Sequence, residues 1–297
     1  MERKLWEGLY HVVDRVWDSW DGARSVRCIL SDRWIALVYF WSVVHDRPRC
    51  WATDPDNWKG VGPRRPMRLP SASNLSRRLR RPSIEALLSA IEAKLGDQPR
   101  ETLLKVIDAK PLPVGSMSKD PDARWGQAGK AKAKGYKFFA IWGNGSTPVA
   151  WSVGPMNADE GTRGKTLIPQ LRGAGYLLGD SAYDENELYD LAWKHGHQLV
   201  APRKTPGTGL GHRKHSPQRL RSIELLEGGG DGRSAFASKL YACRTEVERR
   251  FSRLTSWGGG LGPLPAWVRR MPRVKLWVHA KIILRALKES LPQALAV

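Results

Sequence analysis

The 297-residue sequence predicts an α/β fold, a mixed sheet flanked by helices, preceded by an all-helical region. Within residues 1–99, helical patterns are separated by a loop at 46–70 that is rich in Pro, Asp and Arg, whereas from about residue 100 short apolar runs alternate with helical patterns. The run 103–109 is the clearest strand, with apolar residues around Lys105 and with the Asp108 carboxylate at its C-terminal tip. We therefore expect a helical region over 1–99 and an α/β domain over 100–297.

The helical region is predicted from apolar spacing and from residues that favour helix ends. Ser and Thr accept hydrogen bonds from the first turn of a helix, and Gly and Pro end one. Helices are expected over 3–20, from Ser31 to about His45, from Ser71 or Ser73 to Pro82, and from Ser83 to Gly96.

The short helix before Pro82 has four arginines in its last turns. Such a helix is similar to the recognition helix of a helix-turn-helix, so Asn74, Arg77 and Arg78 are expected to contact DNA bases or phosphates. The alternative is a solvated basic helix end, where arginine also complements the helix dipole.

The α/β region is predicted from alternating strand and helix patterns. Two segments between these elements, 115–135 and 202–240, are rich in basic residues and are expected as loops. Arg213 and Lys214 in the second loop are candidates for phosphate contacts, the alternative being a solvated, mobile insertion. Strands are expected at 103–109, 136–142, 148–153, 176–180 and 198–201, the first three as an antiparallel meander, and helices at 169–175, 184–196, 240–256 and 274–291.

Three acidic residues stand out by position. Asp108 and Asp180 each end a short apolar run, and Glu248 lies in a predicted helix. Ligands collect outside the carboxyl ends of strands in open α/β sheets. Two such aspartates and a helical glutamate offer the oxygen ligands for a pair of hard divalent cations.

The charge balance predicts a polyanionic partner. The chain has 49 Lys and Arg against 29 Asp and Glu, a net charge of +20. Nucleic acid is the first expectation and an anionic membrane surface the second. No apolar run reaches the length of a membrane span, the first residues lack a secretory pattern, and three cysteines at irregular spacing predict reduced thiols. We therefore expect a soluble intracellular protein.

Four motifs in this order resemble the DDE transposases of bacterial insertion sequences, whose catalytic domain is ribonuclease H-like. The resemblance covers about residues 100–290, and the region before it is similar to the helical DNA-binding segment often found in front of that domain. The motifs are Val106-Ile107-Asp108; Gly135-Tyr136-Lys137 with Gly143-Asn144-Gly145; Gly179-Asp180-Ser181-Ala182-Tyr183-Asp184; and Arg244-Thr245-Glu246-Val247-Glu248-Arg249-Arg250-Phe251.

The resemblance implies a role for each matching residue. Asp108, Asp180 and Glu248 would hold two Mg²⁺ ions, for which Mn²⁺ can substitute. Tyr241 and Arg244 would contact the phosphate near the cleaved bond.

The last motif departs from the family at one position. This last element also resembles the family's Tyr-x2-Arg-x3-Glu-x6-Lys signature, which Tyr241, Arg244 and Glu248 match. Where the signature has its lysine, this chain has Thr255, and Arg253 is the nearby substitute for its DNA contact. Glu246 is the rival acid to Glu248 but points to another side of the helix. Asp184 is expected as a supporting or turn residue, and Asp159 and Glu160 as loop residues.

The implied function is a transposase that cuts transposon ends and joins the freed 3′-hydroxyl to target DNA. Its partners would be double-stranded DNA, namely terminal inverted repeats and target DNA, and a second copy in a homodimer. It would be cytoplasmic and nucleoid-associated. Two alternatives stay open, a ribonuclease H-like nuclease without strand transfer and a catalytically inactive DNA-binding regulator.

Overall fold

The computed structural model describes residues 2–20, 30–96, 102–212, 214–228, 235–256 and 260–294, and at residues 2, 63, 246–248, 256 and 292–294 it describes the backbone alone. The chain divides into two compact units. The helical unit comprises residues 1–97 and 254–297, and the sheet unit comprises residues 98–253. The C-terminal segment thus groups with the N-terminal helices. That residues 1–99 bind DNA and residues 100–297 carry the catalytic site stays a prediction.

Helices and strands follow one another as the sequence order predicts, with several additions. The helices are α1 (Glu2–Asp18), α2 (Asp32–Val44), α3 (Ala72–Arg78), α4 (Pro82–Leu95), α5 (Glu160–Leu167), α6 (Asn186–Lys194), α7 (Pro217–Glu227), α8 (Ala235–Ala242), α9 (Thr245–Ser256) and α10 (Met271–Ala294). The strands are β1 (Leu104–Pro113), β2 (Arg124–Ala128), β3 (Ala131–Trp142), β4 (Ala150–Pro155), β5 (Gly175–Leu178) and β6 (His197–Val200).

Two of the predicted helix caps in the helical unit are confirmed. The Ser31 hydroxyl accepts a hydrogen bond from Trp34 N, and the Ser71 hydroxyl accepts one from Asn74 N. The prediction that Ser83 caps the next helix is wrong, because α4 already begins at Pro82. Proline suits the first position of a helix, where the backbone N–H would have no partner.

The core of the helical unit forms around α2, which is buried on every side from Ile35 to Val43. Trp41 of this helix packs against Trp6 and Trp58, with ring centroids 5.0 Å from each. Large aromatic side chains contribute much of the apolar area a helical core buries. This cluster contains three of the chain's 14 tryptophans.

Arg78 has its guanidinium inside the helical unit. It is 5% exposed, forms an ion pair with Asp32 and donates to the Leu30 carbonyl. Ser83 donates to the second Asp32 oxygen at 2.6 Å. The neighbouring Arg77 is exposed and Asn74 is half-buried. Arg78 therefore joins α3 to the start of α2 within the protein, and the expected DNA contacts of α3 reduce to Asn74 and Arg77.

Arg78→Ala should lower the free energy of unfolding by about 3 kcal/mol, because truncation leaves a buried carboxylate and carbonyl without their charged donor. Arg77→Ala, one residue away and exposed, should change it by less than about 0.5 kcal/mol. Urea denaturation monitored by circular dichroism measures both. Equal stabilities would show that the Arg78–Asp32 pair contributes nothing.

The sheet unit is built on one mixed sheet with the order β2-β3-β1-β5-β6, and β4 also pairs with β3. Strands β1, β3 and β4 pair antiparallel, which confirms the predicted meander, whereas β1, β5 and β6 pair parallel. Strand β2 lies in the segment predicted as a loop. Its sequence Arg-Trp-Gly-Gln-Ala is mostly exposed and lacks apolar alternation, so no strand pattern marks it.

Helices cover both faces of the sheet. On one face, Ile107, Phe139 and Leu177 pack with residues of α5 and α6, such as Leu167 and Leu188. On the other face, Phe251 of α9 packs against Phe138 at 5.8 Å and Trp142 at 6.0 Å between ring centroids. Alternate residues of β3 thus serve opposite cores.

Three helix assignments differ from the sequence prediction. The prediction of a helix at 169–175 is wrong. Helix α5 begins at Glu160, because Asp159 caps it by accepting a hydrogen bond from Thr162 N, and it ends at Leu167. Only a 3₁₀ turn, Ile168–Gln170, follows before β5. The predicted basic loop contains α7, capped by Ser216. The predicted helix 240–256 is two helices, α8 and α9, separated by Cys243 and Arg244.

Among the helices of the described residues, none combines the length and apolar character needed to cross a membrane.

Candidate functional site

Asp108 and Asp180 are brought together by the parallel pairing of β1 with β5. Val106 lies opposite Leu178 in this pairing, and each aspartate comes two residues later. Strand β5 ends at Leu178, whereas β1 continues to Pro113, with Asp108 opposite Ala140 of β3. The prediction that Asp108 ends its strand is therefore wrong. Asp108 lies just beyond the part of β1 that pairs with β5, and Asp180 lies just beyond the end of β5, so the two aspartates still come next to each other.

The turn after β5 explains the spacing of the Gly179–Tyr183 motif. A Cβ at Gly179 would lie 3.1 Å from the ring of Tyr183 and 3.3 Å from Ile107, so only glycine lets that ring pack here without displacement. Asp180 begins a 3₁₀ turn, and its Oδ1 accepts a hydrogen bond from Ala182 N at 2.9 Å. The turn holds this carboxylate beside β1.

The pKa of Asp108 is raised to about 6, first by burial and then by the negative charges of Asp180 and Glu160. The hydrogen bond that Ala109 N donates to Asp108 Oδ1, at 2.8 Å, and the charge of Arg244 act in the opposite direction. Two carboxylates at one desolvated place repel each other, and a bound cation relieves that repulsion.

The two aspartates suit a divalent cation. In the described part of the chain, no hydrogen bond reaches the Oδ2 atom of either residue. Hard cations prefer such carboxylate oxygens. No three His, Cys, Asp or Glu side chains of the described residues form a metal-binding group, and the side chains of Glu248 and Glu246 lie outside those residues.

Tyr241 in the last turn of α8 and Arg244 in the turn between α8 and α9 contact this site. The Tyr241 hydroxyl donates to the Gly179 carbonyl at 3.3 Å, and Arg244 Nη1 donates to the Tyr241 hydroxyl at 3.1 Å. Burial acts to lower the pKa of Arg244, but the Tyr241 bond and the charges of Asp108 and Asp180 raise it above its ordinary value. The guanidinium is therefore a fixed positive charge beside the carboxylates.

The backbone of Glu248 lies in α9, which begins at Thr245. Side chains on the next turn of this helix contact the sheet unit. Phe251 packs on β3, and Arg250 donates to the Gly145 carbonyl in the turn after β3 and to the Asn144 carbonyl at 3.4 Å.

No role at the site was predicted for Glu160 or Lys137. Glu160 Oε1 accepts a hydrogen bond from Lys137 Nζ at 2.9 Å, both side chains are largely buried, and Glu160 acts on the pKa of Asp108. Glu160 was expected in a loop but opens α5. The sequence does contain a sign of this helix start, because Asp159 is a common N-cap residue and the acidic Glu160 follows it in the first turn.

Asp184 anchors the segment that follows β6. Arg219 donates to both its oxygens at 2.7 and 2.8 Å, and Lys204 N donates to Oδ2 at 3.0 Å. Burial acts to raise the pKa of Asp184, but these bonds lower it below its ordinary value. Asp184 thus supports α7 and the loop before it.

The remaining candidates lie at the surface or outside the described residues. Lys214 and Arg253 are exposed, Thr255 is half-buried, and Arg213 is outside the described residues. Their expected DNA contacts stay predictions.

A curled mixed sheet flanked by helices, with two aspartates past the end of its parallel pairing, is consistent with a ribonuclease H-like transposase domain. The family model described as Transposase DDE domain matches residues 99–261, more than half of the chain, and the chain belongs to this family. Membership confirms the resemblance, indicates a transposase and implies DNA substrates; DDE transposases generally use divalent metal ions. Comparisons with curated proteins and with solved structures found no match.

The raised pKa of Asp108 predicts how stability depends on pH. Because the folded protein holds the Asp108 proton more tightly than the unfolded chain does, the free energy of unfolding is greatest below the ordinary pKa of 3.8. It falls as the pH rises through about 6. Asp108→Asn should therefore raise the free energy of unfolding by up to about 3 kcal/mol at pH 7.5, with the gain disappearing toward pH 4. Urea denaturation in EDTA across this range measures it.

The control is Glu187→Gln, which removes an exposed carboxylate of the same unit. It should give no gain at pH 7.5. A pH-independent effect of Asp108→Asn would contradict the electrostatic origin of the shift.

Proposed function

We propose that this protein cleaves transposon ends and joins the freed 3′-hydroxyl to target DNA by two-metal-ion phosphoryl transfer. The observation that carries the proposal is the pairing of Asp108 with Asp180 by the β1–β5 register, inside the segment that matches the transposase family. A nuclease alone needs the same carboxylates, so joining has to be tested separately.

Asp108, Asp180 and Glu248 would hold the two Mg²⁺ ions, with Mn²⁺ able to substitute. The Oδ2 atoms of both aspartates accept no hydrogen bond from the described residues, and the repulsion between the two carboxylates favours a cation there. Bound divalent cations supply electrostatic stabilisation of the attacking and leaving oxygens of an in-line displacement.

Arg244 and Tyr241 would bind the phosphate at the cleaved bond. Arg244 is a positive charge close to both aspartates and is oriented by Tyr241, which is itself bound to the Gly179 carbonyl. A planar guanidinium can donate two parallel bonds to a phosphate. This chain of contacts fixes the arginine before DNA arrives, which lowers the cost of ordering it.

The DNA contact made by a lysine in the family would be made here by Arg253. Thr255, at the family's position, carries no charge, whereas Arg253 is exposed on the same helix. The substrates would be terminal inverted repeats and target DNA, held by a homodimer. These substrates imply a cytoplasmic, nucleoid-associated protein.

The triad should be required for cutting. On a labelled duplex carrying the DNA that flanks the gene, with Mg²⁺, Asp108→Asn, Asp180→Asn and Glu248→Gln should each lower the cleavage rate more than about 100-fold, since even outer-shell partners of metal ligands cost 10- to 100-fold. Duplex binding should persist. Gel assays of cleavage and binding measure both.

Glu246→Gln is the matched control, because it removes the same charge two residues away on α9. It should cut at the wild-type rate. If the Glu248→Gln protein cut DNA and the Glu246→Gln protein did not, Glu246 would be the third metal-binding carboxylate in place of Glu248. A pre-cut end that is never joined would favour the nuclease, and an inert wild type would favour the regulator.

Arg244→Lys should slow single-turnover cleavage at saturating DNA by roughly tenfold or more, because an ammonium cannot keep the Tyr241 bond and grip a phosphate bidentately. Arg249→Lys, an exposed arginine of α9, should cut within about twofold of wild type. A wild-type rate for Arg244→Lys would remove Arg244 from the proposed phosphate contact.

A further inference from the structure

A groove of about 550 Å³ lies within the helical unit, between the turn joining α3 to α4 and the start of α10. Its floor is apolar, formed by residues such as Leu79, Leu88 and Leu276. Its walls are basic. The basic residues lining this arginine groove are Arg49, Arg80, Arg81, Arg270, Arg273 and Lys275.

The charges in the arginine groove are poorly balanced. Glu85, its acidic lining residue, already forms an ion pair with Lys275 at 2.5 Å, and His279 contacts Glu92 at 2.8 Å. No ion pair among the described residues involves Arg49, Arg80, Arg81 or Arg273. Four guanidinium groups therefore line one concave surface without an ion-pair partner among the described residues.

The positive charges of the arginine groove act on the pKa of Arg49. Its pKa is lowered by burial first and then by the charge of Arg273, with Arg80 acting in the same direction. The three arginines come from three separate segments of the chain. An anion placed among them would remove this repulsion.

Two helices also begin at the arginine groove. Arg81 precedes the first residue of α4 and makes no capping hydrogen bond, and the first turn of α10 contains no acidic residue. The N-terminal end of a helix carries partial positive charge, which acidic residues or bound anions normally balance. The first turn of α4 contains Glu85, which is already paired with Lys275. The first turn of α10 contains no acidic residue, so Arg273 adds to the positive charge there.

The lining also indicates which polyanion fits. Of the described residues that line the groove, none is Asn, Gln, Ser or Thr, the residues that read base edges along with arginine. None is Phe, Tyr or Trp, on which single-stranded bases stack. Guanidinium groups without stacking or base-reading partners suit the phosphates of a duplex.

We propose that the arginine groove binds the sugar-phosphate backbone of duplex DNA independently of sequence. This inference rests on the proposed function, which makes DNA the substrate, and adds a contact surface that the two ends of the chain build jointly. Arg80 and Arg273, both exposed, would be central contacts, whereas Arg78 of the same α3 segment is occupied inside the protein.

The test is the salt dependence of duplex binding. Wild type and Arg80→Gln/Arg273→Gln are titrated with a fluorescently labelled duplex of arbitrary sequence, in EDTA, over a series of NaCl concentrations. Loss of two phosphate contacts should reduce the slope of log K against log salt by about 2 and weaken binding roughly 50-fold at 0.1 M salt.

Arg65→Gln/Arg68→Gln is the matched control. It removes two exposed arginines of the same unit that do not line the groove, so the change in net charge is identical. It should leave the slope unchanged within about 0.5. Arg80→Lys/Arg273→Lys should retain the wild-type slope, because lysine also neutralises phosphate, and circular dichroism checks that every variant is folded.

Equal behaviour of the groove and control variants would overturn the proposal, as would loss of the slope in the lysine variant. If the Arg80→Gln/Arg273→Gln variant bound duplex RNA more weakly than wild type but bound duplex DNA equally well, the ligand of the groove would be RNA and the proposal for DNA would be wrong. Binding in EDTA is independent of cutting, so a protein that binds through the groove but never cleaves would contradict the proposed function alone.

Discussion

The register between β1 and β5 is the constraint on which the rest of the site depends. Side chains alternate between faces along a strand, so a slip of one residue would move Asp108 away from Asp180. Lys105 of β1, fully buried, donates to the Thr102 carbonyl at 2.6 Å and to His197 Nε2 at 3.0 Å, which links β1 to β6, the strand on the other side of β5. Burial, and then the charge of Lys105, lower the pKa of His197, which keeps the imidazole neutral and able to accept this bond.

Each unit holds an electrostatic arrangement that the isolated protein does not balance. In the sheet unit, two carboxylates repel each other in a partly desolvated place, and Arg244 offsets only part of that repulsion. In the helical unit, arginines crowd together at the start of two helices. One arrangement favours divalent cations and the other favours phosphates, and both are present in a metal-dependent reaction on DNA. Such imbalance is typical of functional sites.

The sequence predicted most of the sheet because apolar runs with turn residues between them specify buried strands locally. Strands β1, β3, β4, β5 and β6 were found this way. Exposed β2 was missed because its residues pair through the backbone and carry no apolar pattern. The break between α8 and α9 was missed because no Pro or Gly stands at Cys243 and Arg244, where the turn is held by the bonds of Tyr241 and Arg244.

By itself, the sequence determined the family, the two aspartates and the strong positive charge, since these depend on residue identity and order along the chain. Only the tertiary structure decided whether a given charged residue forms an internal ion pair, lines a groove or lies near the aspartates. Arg78 became an internal ion pair through Asp32, 46 residues away, while Arg80 and Arg81 became the wall of a groove completed by α10. Glu160 likewise acquired a place near Asp108 through the packing of α5. Desolvation and Coulomb interactions depend on distances between residues far apart in the chain, which local patterns do not encode.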